Sequence, residues 1–122
     1  MSYKIRTIEN FDRQAKKLAK HYESFRKDFK KFLDELSENP LMGKDLGGGV
    51  RKARMAITSK RKGKSGGARV ITYTADVLIR SNSGEIVLLS IYDKSKKSSI
   101  SDHEIKLLKN SITSQKTSTD NY

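Results

Sequence analysis

The spacing of apolar positions changes several times along the chain, and each change marks an element. Tyr3, Ile5 and Thr7 alternate with Lys4 and Arg6, which suits a short first strand. Phe11, Ala15, Leu18, Ala19 and Tyr22 then recur at intervals of three and four. After Ser24 the set Phe25, Phe29, Phe32, Leu33 and Leu36 does the same. Ser24 is placed to accept from the amides of the following turn as an N-cap, so the pattern predicts two helices joined by a tight corner. The second helix ends near Asn39-Pro40. The segment LMGKDLGGG, 41–49, has the glycine density of a connection that turns the chain into a sheet.

From Val50 the run VRKARMAIT alternates, with Ala53, Met55 and Ile57 on one face and Lys52, Arg54 and Ala56 on the other. Arg69-Val70-Ile71-Thr72-Tyr73 begins another strand. Ser81-Asn82-Ser83-Gly84 separates Val77-Leu78-Ile79 from the run Ile86 to Tyr92, as a hairpin turn does, and that last run is apolar enough for a central strand. Ser101-Asp102-His103-Glu104 is an S-x-x-E capping box, followed by Ile105, Leu108 and Ile112 on one helical stripe. The polar tail 113–122 has no period and is expected to be disordered or frayed. The order implies an α+β domain over 1–112: a small antiparallel sheet, two N-terminal helices packed on one face, a short C-terminal helix, and the other sheet face open.

Charge changes the picture most. Among 122 residues, 26 Lys and Arg stand against 14 acids, a net charge of +12, which favours a polyanionic partner, nucleic acid before an anionic membrane. No apolar run approaches membrane-spanning length, and the start MSYKIRTIEN lacks the stretch of a signal peptide, so a cytoplasmic protein is expected. The absence of cysteine removes disulfides and thiolate chemistry, and two histidines are too few to build a metal centre. Gly63-Lys64-Ser65 resembles the end of a phosphate-binding P-loop, but Thr58 occupies the first glycine position. A β-branched run also follows where that motif opens a helix.

Eight basic residues and no acid lie between Arg51 and Arg69. Lys60, Arg61, Lys62 and Lys64 sit in the KRKGKSGG loop, either as a solvated hairpin tip or as phosphate contacts. The strand residues Lys52, Arg54 and Arg69 have directions fixed by the pleat. Three cations meeting across a sheet repel one another unless an anion lies between them. Such crowding disfavours the charged form of a lysine, so Lys52 or a neighbour is a candidate base.

The patterns RKARMAI, GKSGGARVITY and LLSIYDKSKKSSISDHEI, with the helical pair FDRQAKKLAKHYESFRKDFKKFLDEL, resemble toxins of the RelE/ParE superfamily, and among them the HigB-like branch. The resemblance runs almost the whole chain, to Leu108. It implies a toxin of a bacterial toxin-antitoxin module that cuts mRNA in the ribosomal decoding site without metal or other cofactor. The 2′-hydroxyl attacks the adjacent phosphate, leaving a 2′,3′-cyclic phosphate and a free 5′-hydroxyl. By similarity, phosphate stabilisation falls to Lys52, Arg54 and Arg69, and leaving-group protonation to Lys94. RNA or ribosome contact falls to Lys60, Arg61, Lys62, Lys64, Tyr92, Lys96 and Lys97. Where the RelE archetype has a tyrosine near the start of the C-terminal helix, this chain has Ser99-Ile100-Ser101-Asp102-His103, so Lys52, His103 and Tyr92 stay open as the base. The implied partners are the ribosome with its mRNA and a cognate antitoxin, a helix-turn-helix protein of HigA-like type, with operator DNA reached only through that complex. Two alternatives share the scaffold: a ParE-like inhibitor of DNA gyrase, and a non-catalytic ribosome- or RNA-binding inhibitor of translation.

Overall fold

In the computed structural model, which describes residues 4–61, 66–74, 84–97 and 99–112, nine elements follow one another. They are β1 (Lys4–Thr7), α1 (Glu9–His21), α2 (Phe25–Glu38), β2 (Lys44–Gly47), β3 (Val50–Met55), a 3-10 turn (Thr58–Lys60), β4 (Ala68–Tyr73), β5 (Glu85–Asp93) and α3 (Asp102–Ile112). The fold is α+β, with one five-stranded sheet in the order β1-β5-β4-β3-β2. Strands β2 to β5 pair antiparallel, and β1 lies parallel to β5. The sheet is therefore mixed where a wholly antiparallel one was expected. Alternation tells which residues share a face, but the route of the connections decides which strands meet and in which direction.

The helical spacing places Phe11, Phe25, Phe32 and Leu36 in one core with Ala53, Met55 and Ile57, all buried. Phe29 binds this layer together, its ring centroid 5.7 Å from Phe11, 5.8 Å from Phe25 and 6.5 Å from Phe32. Each such side chain taken fully from water contributes about 1.5–3 kcal/mol. The corner between α1 and α2 falls at Ser24, but Ser24 does not cap α2. Its own backbone is helical, and its hydroxyl donates to Asp28 at 2.7 Å while accepting from the Ser59 amide at 3.0 Å. Asp28 also accepts from the Thr58 amide at 2.8 Å. The 3-10 turn is thereby fastened to the start of α2.

Two further expectations change. The glycine-rich connection contains β2, a short edge strand on β3, reached through Gly43 at φ 101°, where an added Cβ would stand 2.6 Å from the Lys52 carbonyl. Backbone pairing does not need apolar side chains, so this strand left no hydrophobic pattern. The second sheet face is not wholly open, because α3 covers its Val50 and Tyr73 end. Ile105 is buried there, and Lys109 donates to the Gly48 carbonyl at 3.0 Å while lying 5.0 Å over the Tyr73 ring. The capping box forms as read: the Glu104 amide donates to Ser101 Oγ at 3.1 Å and the Ser101 amide to Glu104 Oε1 at 3.5 Å. Residues 81–83 of the turn expected over Ser81 to Gly84, the run Val77 to Ile79 and the tail 113–122 lie outside the described residues.

Beyond Leu88, β1 no longer accompanies β5. Side chains one helical turn apart on α1 replace it: Asn10 donates to the Leu89 carbonyl at 3.0 Å, and the Ile91 amide donates to Gln14 Oε1 at 3.0 Å. The strand then ends on a buried carboxylate. Asp93 accepts from the Tyr22 hydroxyl, from Lys60 Nζ at 2.7 Å, and from both the amide (2.9 Å) and the hydroxyl (2.7 Å) of Ser95. The side chains of Lys60 and Asp93 are only 8% and 3% exposed, so this is a desolvated pair and not a surface contact. Burial by itself would raise the Asp93 carboxyl. The hydrogen bonds from Lys60, Tyr22 and Ser95 outweigh it and hold the group well below the usual carboxylate range. The same bond, then burial and the carboxylate charge, push the Tyr22 phenol up to about 12.

Asp93→Asn leaves Lys60 buried without its counter-charge and is expected to cost about 3 kcal/mol in urea unfolding at neutral pH. The pH profile follows from the signs. Asp93 has a folded-state value below its unfolded value of about 3.9, so its contribution is complete above about pH 4 and fades as pH falls through the folded value. Tyr22 has a raised folded value, so its contribution is complete below about pH 10 and is lost as pH rises toward about 12. Asp93→Asn should flatten both limbs of the stability curve, and Tyr22→Phe the alkaline limb.

Candidate functional site

Register across the three interior strands assembles the site. Arg54 of β3 pairs directly with Arg69 of β4, and Arg69 with Tyr92 of β5. Directly opposed residues in antiparallel strands share a face, with Cβ atoms about 4.5–5.5 Å apart. Arg54, Arg69 and Tyr92 therefore form one row on the face that α3 only half covers. Lys52 lies on the same face two residues along β3, but opposite Ile71. Two of the three expected strand cations thus meet across the sheet, and the third is diagonal to them.

Gly67 explains why the strands come together at this point. An added Cβ there would lie 2.1 Å from the Met55 carbonyl, so the second glycine of Gly66-Gly67 lets β4 approach β3 two residues before the arginine pair. Its carbonyl also accepts from the Lys94 amide at 3.1 Å, extending the contact between β4 and β5 to the end of the row.

The row is electrostatically unusual. Arg69 is 5% exposed, and its Nη1 donates to the Ala68 carbonyl at 3.3 Å. Burial first, and the charge of Arg54 second, lower its guanidinium below the usual value, although arginine stays charged at neutral pH. The Tyr92 hydroxyl is buried and, among the described residues, has no hydrogen-bond partner. Burial raises its phenol above the ordinary value, Arg69 draws it back, and the charge of Glu104 raises it again. An unsatisfied buried hydroxyl costs about 1–3 kcal/mol, a cost that a hydrogen-bonding group reaching it would relieve.

The first turn of α3 closes the row. Lys97 donates to Glu104 Oε2 at 2.7 Å and stands 5.7 Å over the Tyr92 ring. Hydrogen bonding from Lys97, opposed by burial, keeps the Glu104 carboxyl below its usual range. His103 is exposed in that same turn, one residue before Glu104. Lys94 and Lys96 are exposed in the turn that follows β5, and Arg61 is exposed at φ 59° after the 3-10 turn. Lys60 is turned inward to Asp93 and is not part of an outer cationic surface. Lys62 and Lys64 lie outside the described residues.

Three participants carry no role in the sequence reading. Asp93 has a local signature, an acid at a strand end followed two residues later by Ser95, which is the pattern of a side-chain turn. Glu104 was legible only as a helix cap. Gln14 has no local signal, because its function depends on α1 lying against the edge of β5.

The family model described as RelE toxin of RelE / RelB toxin-antitoxin system matches residues 4–121. Among the described residues, no helix is long and apolar enough to cross a membrane.

If the row behaves as one electrostatic unit, its titrations are coupled in opposite directions. Arg69→Gln should raise the Tyr92 phenol further and Glu104→Gln should lower it, both read by NMR of tyrosine labelled at the ring carbon bearing the hydroxyl. Unmoved titrations would mean that Tyr92 does not sense either charge.

Proposed function

The chain belongs to the RelE toxin family, and from that premise we propose that it is a ribosome-dependent mRNA endoribonuclease of the HigB-like branch, cutting message in the decoding site. As a toxin of a toxin-antitoxin system it has an antitoxin partner by family. In this reading that antitoxin is a HigA-like helix-turn-helix protein, and the pair binds its own operator.

The observation that carries the reading is the Arg54-Arg69-Tyr92 row, with a buried guanidinium beside a buried, unpartnered hydroxyl. Two like charges opposed across a sheet are unfavourable until an anion lies between them. A phosphodiester supplies that anion, and its charge grows as the reaction proceeds. The 2′-oxygen bonds to phosphorus while the bond from phosphorus to the 5′-oxygen breaks. One proton leaves the 2′-hydroxyl and one is delivered to the 5′-oxygen, giving the cyclic phosphate and a free 5′-hydroxyl.

Arg69, Arg54 and Lys52 stabilise the pentacoordinate phosphorus, where donors fixed in advance in a poorly hydrated site act most strongly. Tyr92, protonated at neutral pH as an ordinary phenol is and moved further from ionisation by burial, donates to a phosphoryl or leaving oxygen; it is unsuited to begin as the base. That leaves Lys52 or His103 to accept the 2′-proton. Lys94, tethered through its amide to Gly67, is assigned to the leaving 5′-oxygen. Arg61, Lys96 and Lys97 provide the surrounding RNA and ribosome contacts, with strong salt dependence.

Primer extension on a defined mRNA, with and without translating ribosomes, tests this directly. Cuts should require ribosomes, and Arg69→Ala should slow them about 100-fold or more. Intact message with translation halted would replace catalysis by simple ribosome binding. Normal translation with blocked supercoiling would move the target to DNA gyrase.

A further inference from the structure

Beside the catalytic row lies a second concave feature. A groove of about 380 Å³ runs between α1 and the end of β5, lined by Gln14, Lys17, Leu18, His21, Ile91 and Tyr92 and, on its outer side, by Lys96 and Lys97. Its size falls within the range of about 300–1,000 Å³ usual for small-ligand sites. Tyr92 and Lys97 belong to both the groove and the row, so the two are continuous.

The chemistry of the groove is specific. Leu18 and Ile91 give it apolar surface, while Lys17, Lys96, Lys97 and His21 supply its charged or titratable rim. The one acid in its wall, Asp93, is already committed to Lys60, Tyr22 and Ser95. Apolar and aromatic surface ringed by cations is the combination that holds a nucleobase with its phosphate.

Gln14 adds a directional element. Its Oε1 accepts from the Ile91 amide at 3.0 Å, from Ser90 Oγ at 2.9 Å and from Asn10 Nδ2 at 3.2 Å. A backbone N–H can only donate, so the amide orientation is fixed: oxygen to the strand, nitrogen outward. Among the described residues nothing accepts from that nitrogen. The groove therefore contains a held N–H donor beside apolar surface, a few residues from the row.

We propose that this groove is the seat of the nucleotide flanking the scissile phosphate, with Gln14 Nε2 donating to an acceptor on the base edge and the Lys17, Lys96 and Lys97 rim holding the next phosphate. The inference rests on the nuclease reading of the row and deepens it, by making Gln14 a determinant of which base stands beside the cut. A guanine O6 or a uracil O4 is the acceptor that such a donor selects, because adenine and cytosine carry amino donors at the corresponding positions.

Gln14→Glu is the discriminating change, because one carboxylate oxygen still accepts from the Ile91 amide while the other presents an acceptor where the donor stood. Two measurements go together. A 2′-deoxy trinucleotide, which cannot be cleaved by 2′-attack, is titrated into the protein with amide NMR, and cut sites on a mixed message are mapped with ribosomes for wild type, Gln14→Glu and Arg69→Ala. The expected result is a shift of the Leu18 and Ile91 amides on titration, about tenfold weaker binding by Gln14→Glu, and a changed base distribution beside its cuts. Unmoved Leu18 and Ile91 amides, or an unaltered base distribution in Gln14→Glu, would overturn the groove assignment while loss of cutting in Arg69→Ala still upheld the row. Failure of wild type to cut would instead overturn the nuclease reading. The titration would then decide alone, its shifts supporting a nucleotide seat and their absence removing it.

Discussion

The arrangement depends on one buried carboxylate. Asp93 ends β5, and it receives Tyr22 from the end of α1, Lys60 from the turn after β3, and Ser95 from the turn that leads toward α3. Three parts of the chain far apart in sequence are joined at a single desolvated group. Each partner is also a condition for the others, since a buried carboxylate is tolerated only when its hydrogen bonds are made and its charge is opposed. The turn Lys94 to Lys96 hangs from the same residue, because the Asp93 carbonyl accepts from the amides of Lys96 at 3.0 Å and Lys97 at 3.1 Å. Lys97, placed in this way, reaches both Glu104 and the Tyr92 ring.

The knot and the row are adjacent along β5, and the pleat separates their tasks. Tyr92 lies in the row beside Arg69, and Asp93, the next residue, is directed to the Tyr22 and Lys60 anchor. A strand fixed on one side can hold an unfavourable arrangement on the other. Two arginines opposed across strands and a buried phenol that has no hydrogen-bond partner among the described residues carry a local cost, and the surrounding apolar core offsets it. The large net positive charge is consistent with such a division. Much of it covers the helices and the turns, while the buried charges are confined to places such as Arg69 and the Lys60–Asp93 pair.

Much of the architecture was legible before any coordinates. Helical spacing located α1 and α2 with their corner at Ser24, alternation assigned the two faces of β3, the capping box announced α3, and the apolar run from Ile86 marked an interior strand. These features depend on periodicity and on local hydrogen-bonding chemistry, which are properties of short stretches. β2 escaped because an exposed edge strand is defined by backbone pairing. The Ser24 hydroxyl escaped because Asp28 and Ser59 offered it better partners than the helix amides did.

By itself the sequence determined the residue types of the site: two arginines and a lysine with directions fixed by strand alternation, a glycine pair that permits close approach, and an excess of positive charge. Only the tertiary structure decided which of them meet. Register places Arg54 against Arg69 and Lys52 against Ile71, and a shift of one residue would have turned the whole set to the other face. It also decided that Lys60 would be a buried anchor and not a surface cation, since the acid that claims it lies on another strand. Gln14 and Tyr92 become neighbours across a groove for the same reason. Side-chain direction is encoded locally, whereas partnership is settled by which elements pack together, and that is a property of the complete chain.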